Sequence, residues 1–347
     1  MKAICIYVDR GEEYKATAKL ICNMLNKAGH QAVVEELFDY LDIKWLDTYF
    51  SFIRKLINKF RINTLFGSSS WELDRLIKFA NKHCTLAFQS NLEEEPADLF
   101  ICIHPYTSHL ITELRKNTRK DNLSVCYYET RFFSISKNTV NNDVDKFFIS
   151  TDQGAEEATL IGQNESSIAL SPILLPEAKD LVIDNVEGNH KVRILYDMKD
   201  DKVNLSKLIK KDINAEFLLF NINQDKIKKL KADASKCKHL KLTFLSKNIE
   251  NKYNLFSKAD IIIGPSDRKA MLVALYLKKA YFLTEKKKKN NDITDFIIEN
   301  NLGLILPSNN DKQFEEINNY INRFDKSSFD VLNFNAHSFI SQLEEIC

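Results

Sequence analysis

Short apolar runs recur along this chain, separated by stretches in which apolar residues return every three or four positions. The first run, AICIYV at 3–8, leads into a segment that sets Ala18, Ile21, Leu25 and Ala28 on one helical face and stops at Gly29, a residue suited to the left-handed turn that ends a helix. Similar runs fall at 31–37, 98–103, 124–129, 146–150 and 167–170, and again at 192–196, 216–220, 240–244, 260–264, 280–283 and 302–306. Apolar strands alternating with helical patterns are how parallel sheets covered on both faces read in sequence. Two sets of six predict an α/β chain of two Rossmann-like, doubly wound domains. A polar stretch with two prolines, SPILLPEAKDLVIDNVEGNHK at 171–191, separates the sets. The expected boundaries are 1–172 for the first domain, 173–190 for a linker and 191–325 for the second domain. A C-terminal helix within 326–347 is expected to pack back on the first domain. Ligands of such sheets lie outside the carboxyl ends of the strands, and in a two-domain chain those ends are expected to face a shared interdomain cleft.

Composition narrows the class. The 347 residues are 44% hydrophobic, ample for two cores, and the 49 basic and 48 acidic side chains nearly cancel. With no global field to attract it, nucleic acid is not the expected partner. Seven cysteines, odd in number and without a CxxC pair, suit buried thiols in a reducing compartment better than disulfides or a metal site. No basic segment precedes an apolar run at the N-terminus, and no stretch reaches about 18 apolar residues. The expectation is a cytoplasmic protein that neither is secreted nor spans a membrane. Glycine is scarce: eight in the chain, against a usual share of about 7%.

One segment suggests a membrane surface. Residues 39–67 mix Trp45, Tyr49, Phe50 and further aromatic and aliphatic residues with Lys44, Arg54, Lys55, Lys59 and Arg61, the composition of an interfacial helix that beds its rings among acyl chains beside anionic head groups. A helix packed on the sheet or in a homodimer is the alternative.

Four stretches, taken in order, resemble the diacylglycerol glycosyltransferases of family 28, the monogalactosyldiacylglycerol synthase and processive diacylglycerol glucosyltransferase group. They are HQAVVEELFDYLD at 30–42, ADLFICIHPYTSHLI at 97–111, VDKFFISTDQGAEEATLIG at 144–162 and LFSKADIIIGPSDRKAMLVALYLKKAYFL at 255–283. The resemblance implies a GT-B arrangement of the two domains. It also implies a membrane-associated transferase that moves a hexose from a uridine diphosphate sugar to a diacylglycerol-type lipid by direct displacement, with no metal or other cofactor required. Peripheral attachment to the inner face of the membrane follows from the same likeness.

The chain departs from that family where the family uses glycine. The histidine ending the family's first loop falls on Glu13, and of that loop's glycines only Gly11 remains. The two glycines of the donor segment fall on Asp267 and Arg268, and the ribose-binding glutamate on Val273. A third glycine turn is replaced by DMKDD at 197–201. A glycine turn cradles a diphosphate with backbone N–H groups because no Cβ intervenes, so each replacement bears on donor binding.

The residues assigned roles are therefore few. Glu13 is read as the general base toward an acceptor hydroxyl, with complementing the helix dipole as its ordinary alternative. His104 and Glu129 are placed on the acceptor side by the resemblance; a hydrogen-bonded structural histidine and an ion pair with Arg131 are the competing readings. Ser266, Asp267 and Arg268 are expected near the donor phosphates, with Lys286, Lys287, Lys288 and Lys289 neutralising their charge or, alternatively, facing solvent or lipid. A catalytically silent relative, serving as a binding or scaffold protein at the membrane, is the rival to the transferase. A nucleotide-sugar epimerase ranks behind both, because it needs the same diphosphate cradle.

Overall fold

The twelve predicted strands all form, and every pairing among them is parallel. The computed structural model describes residues 1–45, 48, 70–175, 181, 191–198, 203, 205–211, 214–245, 252–284, 292–323, 328–329 and 332–346. The chain divides into two units, Met1–Pro176 with Asn333–Cys347, and Glu177–Leu332.

The first unit is built on β1 (Lys2–Tyr7), β2 (Gln31–Glu36), β3 (Leu99–Cys102), β4 (Ser124–Tyr128), β5 (Lys146–Ile149) and β6 (Ile168–Leu170), in the spatial order β2-β1-β3-β4-β5-β6. Its helices are α1 (Glu12–Lys27), α2 (Leu37–Tyr40), α3 (Ser70–His83), α4 (Thr85–Glu94), α5 (Pro105–Thr118) and α6 (Asp152–Leu160). A parallel sheet must be covered on both faces, and the alternation in β1 divides its side chains accordingly. Ala3, Cys5 and Tyr7 pack with Ala18, Ile21 and Leu25 of α1, while Ile4, Ile6 and Val8 pack with residues of α3, α4 and α5. Gly29, at φ 92°, supplies the left-handed turn after α1.

The second strand ends one residue earlier than its apolar run. Glu36, the last residue of the strand, turns its carboxylate on the N–H groups of Phe38 and Asp39, at 2.7 and 3.0 Å, so that Leu37 begins α2. A side-chain cap of this kind outweighs the β-character of the run.

The second unit repeats the plan with β7 (Val192–Asp197), β8 (Ala215–Phe220), β9 (Lys241–Phe244), β10 (Ile261–Gly264), β11 (Ala280–Leu283) and β12 (Gly303–Ile305), ordered β12-β11-β10-β7-β8-β9. Its helices are α7 (Leu205–Lys210), α8 (Gln224–Ala234), α9 (Arg268–Tyr276), α10 (Asp292–Glu299) and α11 (Asn310–Arg323). In both sheets the chain winds outward from its first strand, then crosses back to that strand's other side. The crossing lies between β1 and β3 in one unit and between β7 and β10 in the other.

The last helix, α12 (Ala336–Glu344), belongs to the first unit. Phe339 is fully buried and meets Tyr128 and Phe148 edge-on at 5.4 and 5.0 Å, and Glu344 pairs with His30 at 2.8 Å. The segment thus completes a face of the sheet begun more than three hundred residues earlier. Replacing Phe339 by Ala is expected to lower the stability of the first unit by about 3–5 kcal/mol, read as a lower urea midpoint.

Candidate functional site

In each sheet the strand order reverses beside the first strand, and the carboxyl ends there are the usual place for a ligand. In the first unit those ends carry the loop after β1, His104 after β3 and Glu129 after β4. The loop holds its place through charge. The Asp9 N–H donates to Glu36 at 3.3 Å, and the Arg10 guanidinium lies over the Tyr106 ring at 4.6 Å and the Phe38 ring at 5.9 Å. Gly11 is extended, at φ 162°, and a Cβ added to it would meet the Tyr14 ring at an ordinary 3.6 Å. No close backbone approach within this unit requires a glycine there.

Tyr14, in the first turns of α1, reaches across this end, its ring 5.0 Å from that of His104 and nearly perpendicular. Glu13, beside it, is exposed in the first turn, where its charge also complements the helix dipole. His104 caps α5. The Tyr106 N–H donates to its Nδ1 at 3.1 Å, its own N–H donates to Thr107 Oγ1 at 3.2 Å, and Pro105 opens the helix. An Nδ1 that accepts a hydrogen bond bears no proton, so the neutral ring carries its proton on Nε2. In that form the ring's remaining N–H is a donor.

Glu129 is almost fully buried and its carboxylate is fully engaged. Tyr127 donates to Oε2 at 3.1 Å, and the backbone N–H, Nε and Nη2 of Arg131 donate at 3.0, 3.2 and 3.1 Å. Arg131 continues to Thr139 Oγ1 at 2.9 Å and the Ser134 carbonyl at 3.3 Å. Burial pulls the Arg131 pKa down, but the Glu129 charge more than offsets it and holds the guanidinium above its ordinary value. Burial, reinforced by Glu129, pushes the Tyr127 phenol well up. Here Glu129 anchors the loop after β4. The half-buried Arg131, unmentioned among the expected site residues except as this partner, is brought to the same end as Tyr14 and His104.

In the second unit, Leu195 and Asp197 of β7, Gly264 and Pro265 at the end of β10, and Lys252 and Asp267 line a cavity of about 70 Å³. Ligand pockets for drug-sized molecules run to several hundred Å³, and this cavity is smaller. Ser266, Asp267 and Arg268 follow β10 directly, and each is engaged within the unit. Ser266 Oγ lies 3.3 Å from Thr294 Oγ1. Asp267 caps α9, accepting from the N–H groups of Lys269 and Ala270 at 3.1 and 3.4 Å, with Lys252 Nζ 3.6 Å away. Arg268 donates to the buried carboxylate of Asp292 at 2.6 Å. Val273 is fully buried in α9.

The lysines at 286–289, with Tyr49, Phe50, Arg54, Lys55 and Lys59, lie outside the described residues. Trp45 is described: it is 58% exposed and stands edge-on to Phe79 at 5.6 Å. Among the described residues no helix is long and apolar enough to cross a membrane, and no three His, Cys, Asp or Glu side chains group to hold a metal.

Residues 14–173 match the Monogalactosyldiacylglycerol (MGDG) synthase family. No curated protein matches the sequence. Solved structures similar to the whole chain include Acinetobacter baumannii MurG, at 9% identity and a TM-score of 0.56, covering 99% of this chain and 98% of that one. The UDP-GlcNAc 2-epimerase of Methanocaldococcus jannaschii is similar at 13% identity and a TM-score of 0.53, covering 99% of each chain. The kitacinnamycin glycotransferase follows at 6% identity and 0.51, covering 98% of each. At these identities the likeness is one of fold, two Rossmann-like units of the GT-B type.

Two outcomes follow from the first-unit geometry. Arg131→Ala strands a buried carboxylate and is expected to cost about 3–5 kcal/mol, with a double-mutant cycle against Glu129→Gln giving a coupling of at least about 1 kcal/mol. Gly11→Ala is expected to shift stability by no more than about 0.5 kcal/mol, measured in the same denaturant titration.

Proposed function

We propose, for a chain that belongs to the GT-B glycosyltransferases of family 28 and carries the MGDG synthase match across its first unit, that it moves a hexose from uridine diphosphate to a hydroxyl of a diacylglycerol-type lipid. The observation that carries this reading is the coincidence of the family match at 14–173 with the Tyr14–His104 pair at the strand reversal of the same unit. The acceptor hydroxyl would lie against His104, whose Nε2–H donates to a lipid oxygen and orients it. Glu13, exposed in the adjoining turn, would take the hydroxyl proton. As the acceptor oxygen forms its bond to the anomeric carbon, the bond to the diphosphate breaks, and uridine diphosphate leaves with the electron pair. Lys286, Lys287, Lys288 and Lys289 would offset the leaving group's charge. Trp45, with the aromatic and basic residues that follow it in sequence, would hold the protein on the inner face of the membrane that supplies the lipid.

A second reading has its own observation. Asp267 capping α9, with Arg268 bound to Asp292, leaves no open diphosphate cradle among the described residues at the start of α9. That is the state of a relative which retains the scaffold at the membrane and no longer transfers sugar.

Incubation with radiolabelled UDP-glucose or UDP-galactose and vesicles containing diacylglycerol decides between them. The transferase reading expects label in the lipid phase, reduced about 10²–10⁴-fold by Glu13→Gln and lowered by His104→Ala. Absence of labelled lipid from folded, vesicle-bound protein with either donor would sink it and leave the scaffold.

A further inference from the structure

Parallel pairing places every run that leads into a strand at the same end of its sheet. In the second unit five of the six lead-in runs carry exposed lysine: Lys191 before β7, Lys211 before β8, Lys236 and Lys238 before β9, Lys258 before β10 and Lys278 before β11. Neighbouring strands lie about 4.8 Å apart, so across the order β11-β10-β7-β8-β9 these lysines span a row about 20 Å long. Lys191 reaches past β8 to the carbonyl of His239, in the run before β9, at 2.7 Å. That bond draws two lead-ins together and leaves the ammonium charge in place.

Carboxylates at the same strand starts are turned inward. Glu216 is buried and takes Arg193 at 3.3 Å, Lys241 at 2.9 Å and Thr243 at 2.6 Å; Asp260 is buried and accepts the Arg193 N–H at 3.0 Å. The amino end of the first sheet is built differently, with both signs matched at the surface. There Arg115 pairs with Asp145 at 2.6 Å, Lys116 with Asp143 at 2.5 Å, and the Lys2 N–H donates to Asp98 at 2.7 Å. In a chain whose net charge is +1, the lysine row is a local excess of one sign.

We propose that the amino end of the second sheet is a docking surface for an anionic lipid bilayer. A row of separate ammonium groups suits a plane of diffuse negative charge, which attracts clustered lysines within a Debye length of the surface. The runs 189–191, 211–214, 235–240, 257–260 and 277–279 contain no arginine, tyrosine, phenylalanine or tryptophan. Nucleic-acid readers use side chains that fork onto base edges or stack on bases, and protein interfaces are depleted in lysine, so a lipid surface is the partner this composition fits. Docking by this end points the carboxyl ends of the same strands, where such sheets bind their ligands, away from the bilayer and toward the aqueous phase. The surface belongs to a different unit from Trp45, and it requires neither sugar transfer nor an acceptor lipid.

The test is co-sedimentation of the full chain with vesicles of mixed phosphatidylglycerol and phosphatidylcholine, and of phosphatidylcholine alone, at low and at high salt. The wild type is compared with Lys236→Gln/Lys238→Gln/Lys258→Gln/Lys278→Gln and with a control that removes four exposed lysines of the first unit, Lys19→Gln/Lys27→Gln/Lys120→Gln/Lys137→Gln, thermal melts verifying that each is folded. The two sets carry the same net charge, so a difference between them reports position. The second-unit set is expected to lower partitioning onto mixed vesicles at least about 10-fold at low salt and the control by less than about 3-fold, with high salt abolishing the difference. Adding Trp45→Ala to the wild type and to the second-unit set is expected to leave the ratio between them unchanged. Equal losses in the two sets, no loss in the second-unit set, or wild-type binding indifferent to phosphatidylglycerol would overturn the proposal. An RNA oligonucleotide that displaces the protein from mixed vesicles and binds through these lysines more tightly would overturn it in favour of nucleic acid. Docking lost with the second-unit lysines, in a protein that puts no label into lipid, would uphold the surface and sink only the transfer. Labelled lipid from protein that docks equally well without them would do the reverse.

Discussion

Parallel pairing constrains this molecule more than any other interaction. Parallel strands cannot be joined by hairpins, so every connection crosses a face of the sheet, and both faces are buried by what crosses them. Each strand of a unit then ends on the same side, where the loops collect. Because the chain winds one way from β1 and then returns to its other side, the ends of β1 and β3 are left without a crossover covering the gap between them, and β7 and β10 repeat the geometry. His104 and Tyr14 meet in the first unit for this reason, with Arg10 over the neighbouring Tyr106, and Asp197 and Asp267 line one cavity in the second.

At both reversals, charge stands where a sugar-handling protein of this fold would use bare backbone. Glycine keeps a loop close to a ligand by removing the Cβ; this chain keeps its loops close to themselves by ion pairs, caps and ring contacts. Glu36 holds the loop after β1 and starts α2. Arg10 fills the space over Tyr106, Glu129 and Arg131 fix the loop after β4, and Asp267 closes the end of α9. Each carboxylate is matched by donors within its own unit, so these residues are satisfied before any ligand arrives. In the first unit the cap on α5 fixes which nitrogen of His104 accepts and which donates. In the second, the described donors at the start of α9 are engaged with Asp267 and the Arg268 guanidinium with Asp292.

Much of the architecture was legible because its causes are local. Buried parallel strands require continuous apolar runs, so all twelve appeared in the sequence within a residue or two, and Gly29 marked the end of α1 through its own backbone freedom. The strand boundary at Glu36 was missed because a carboxylate reaching two or three residues ahead decides it, and hydropathy does not record caps. The seats of Glu13, His104 and Glu129 at strand ends or helix starts were likewise readable from the spacing.

What those residues are bonded to was a different matter. Nothing in the sequence orients Nδ1 of His104 toward the Tyr106 N–H, and nothing in it brings Arg268 to Asp292, twenty-four positions away. Arg131 stood out only as a partner for Glu129, although it also ties the loop after β4 to Thr139 and Ser134. The sequence by itself determined the two parallel sheets, the alternation that buries both faces, and the replacement of glycine by charge in the loops, since each depends on residue type and near neighbours. Only the tertiary structure decided which of those charges face inward to one another and which remain available to a ligand, because ion pairing and capping depend on distances that crossover connections set between residues far apart in the chain.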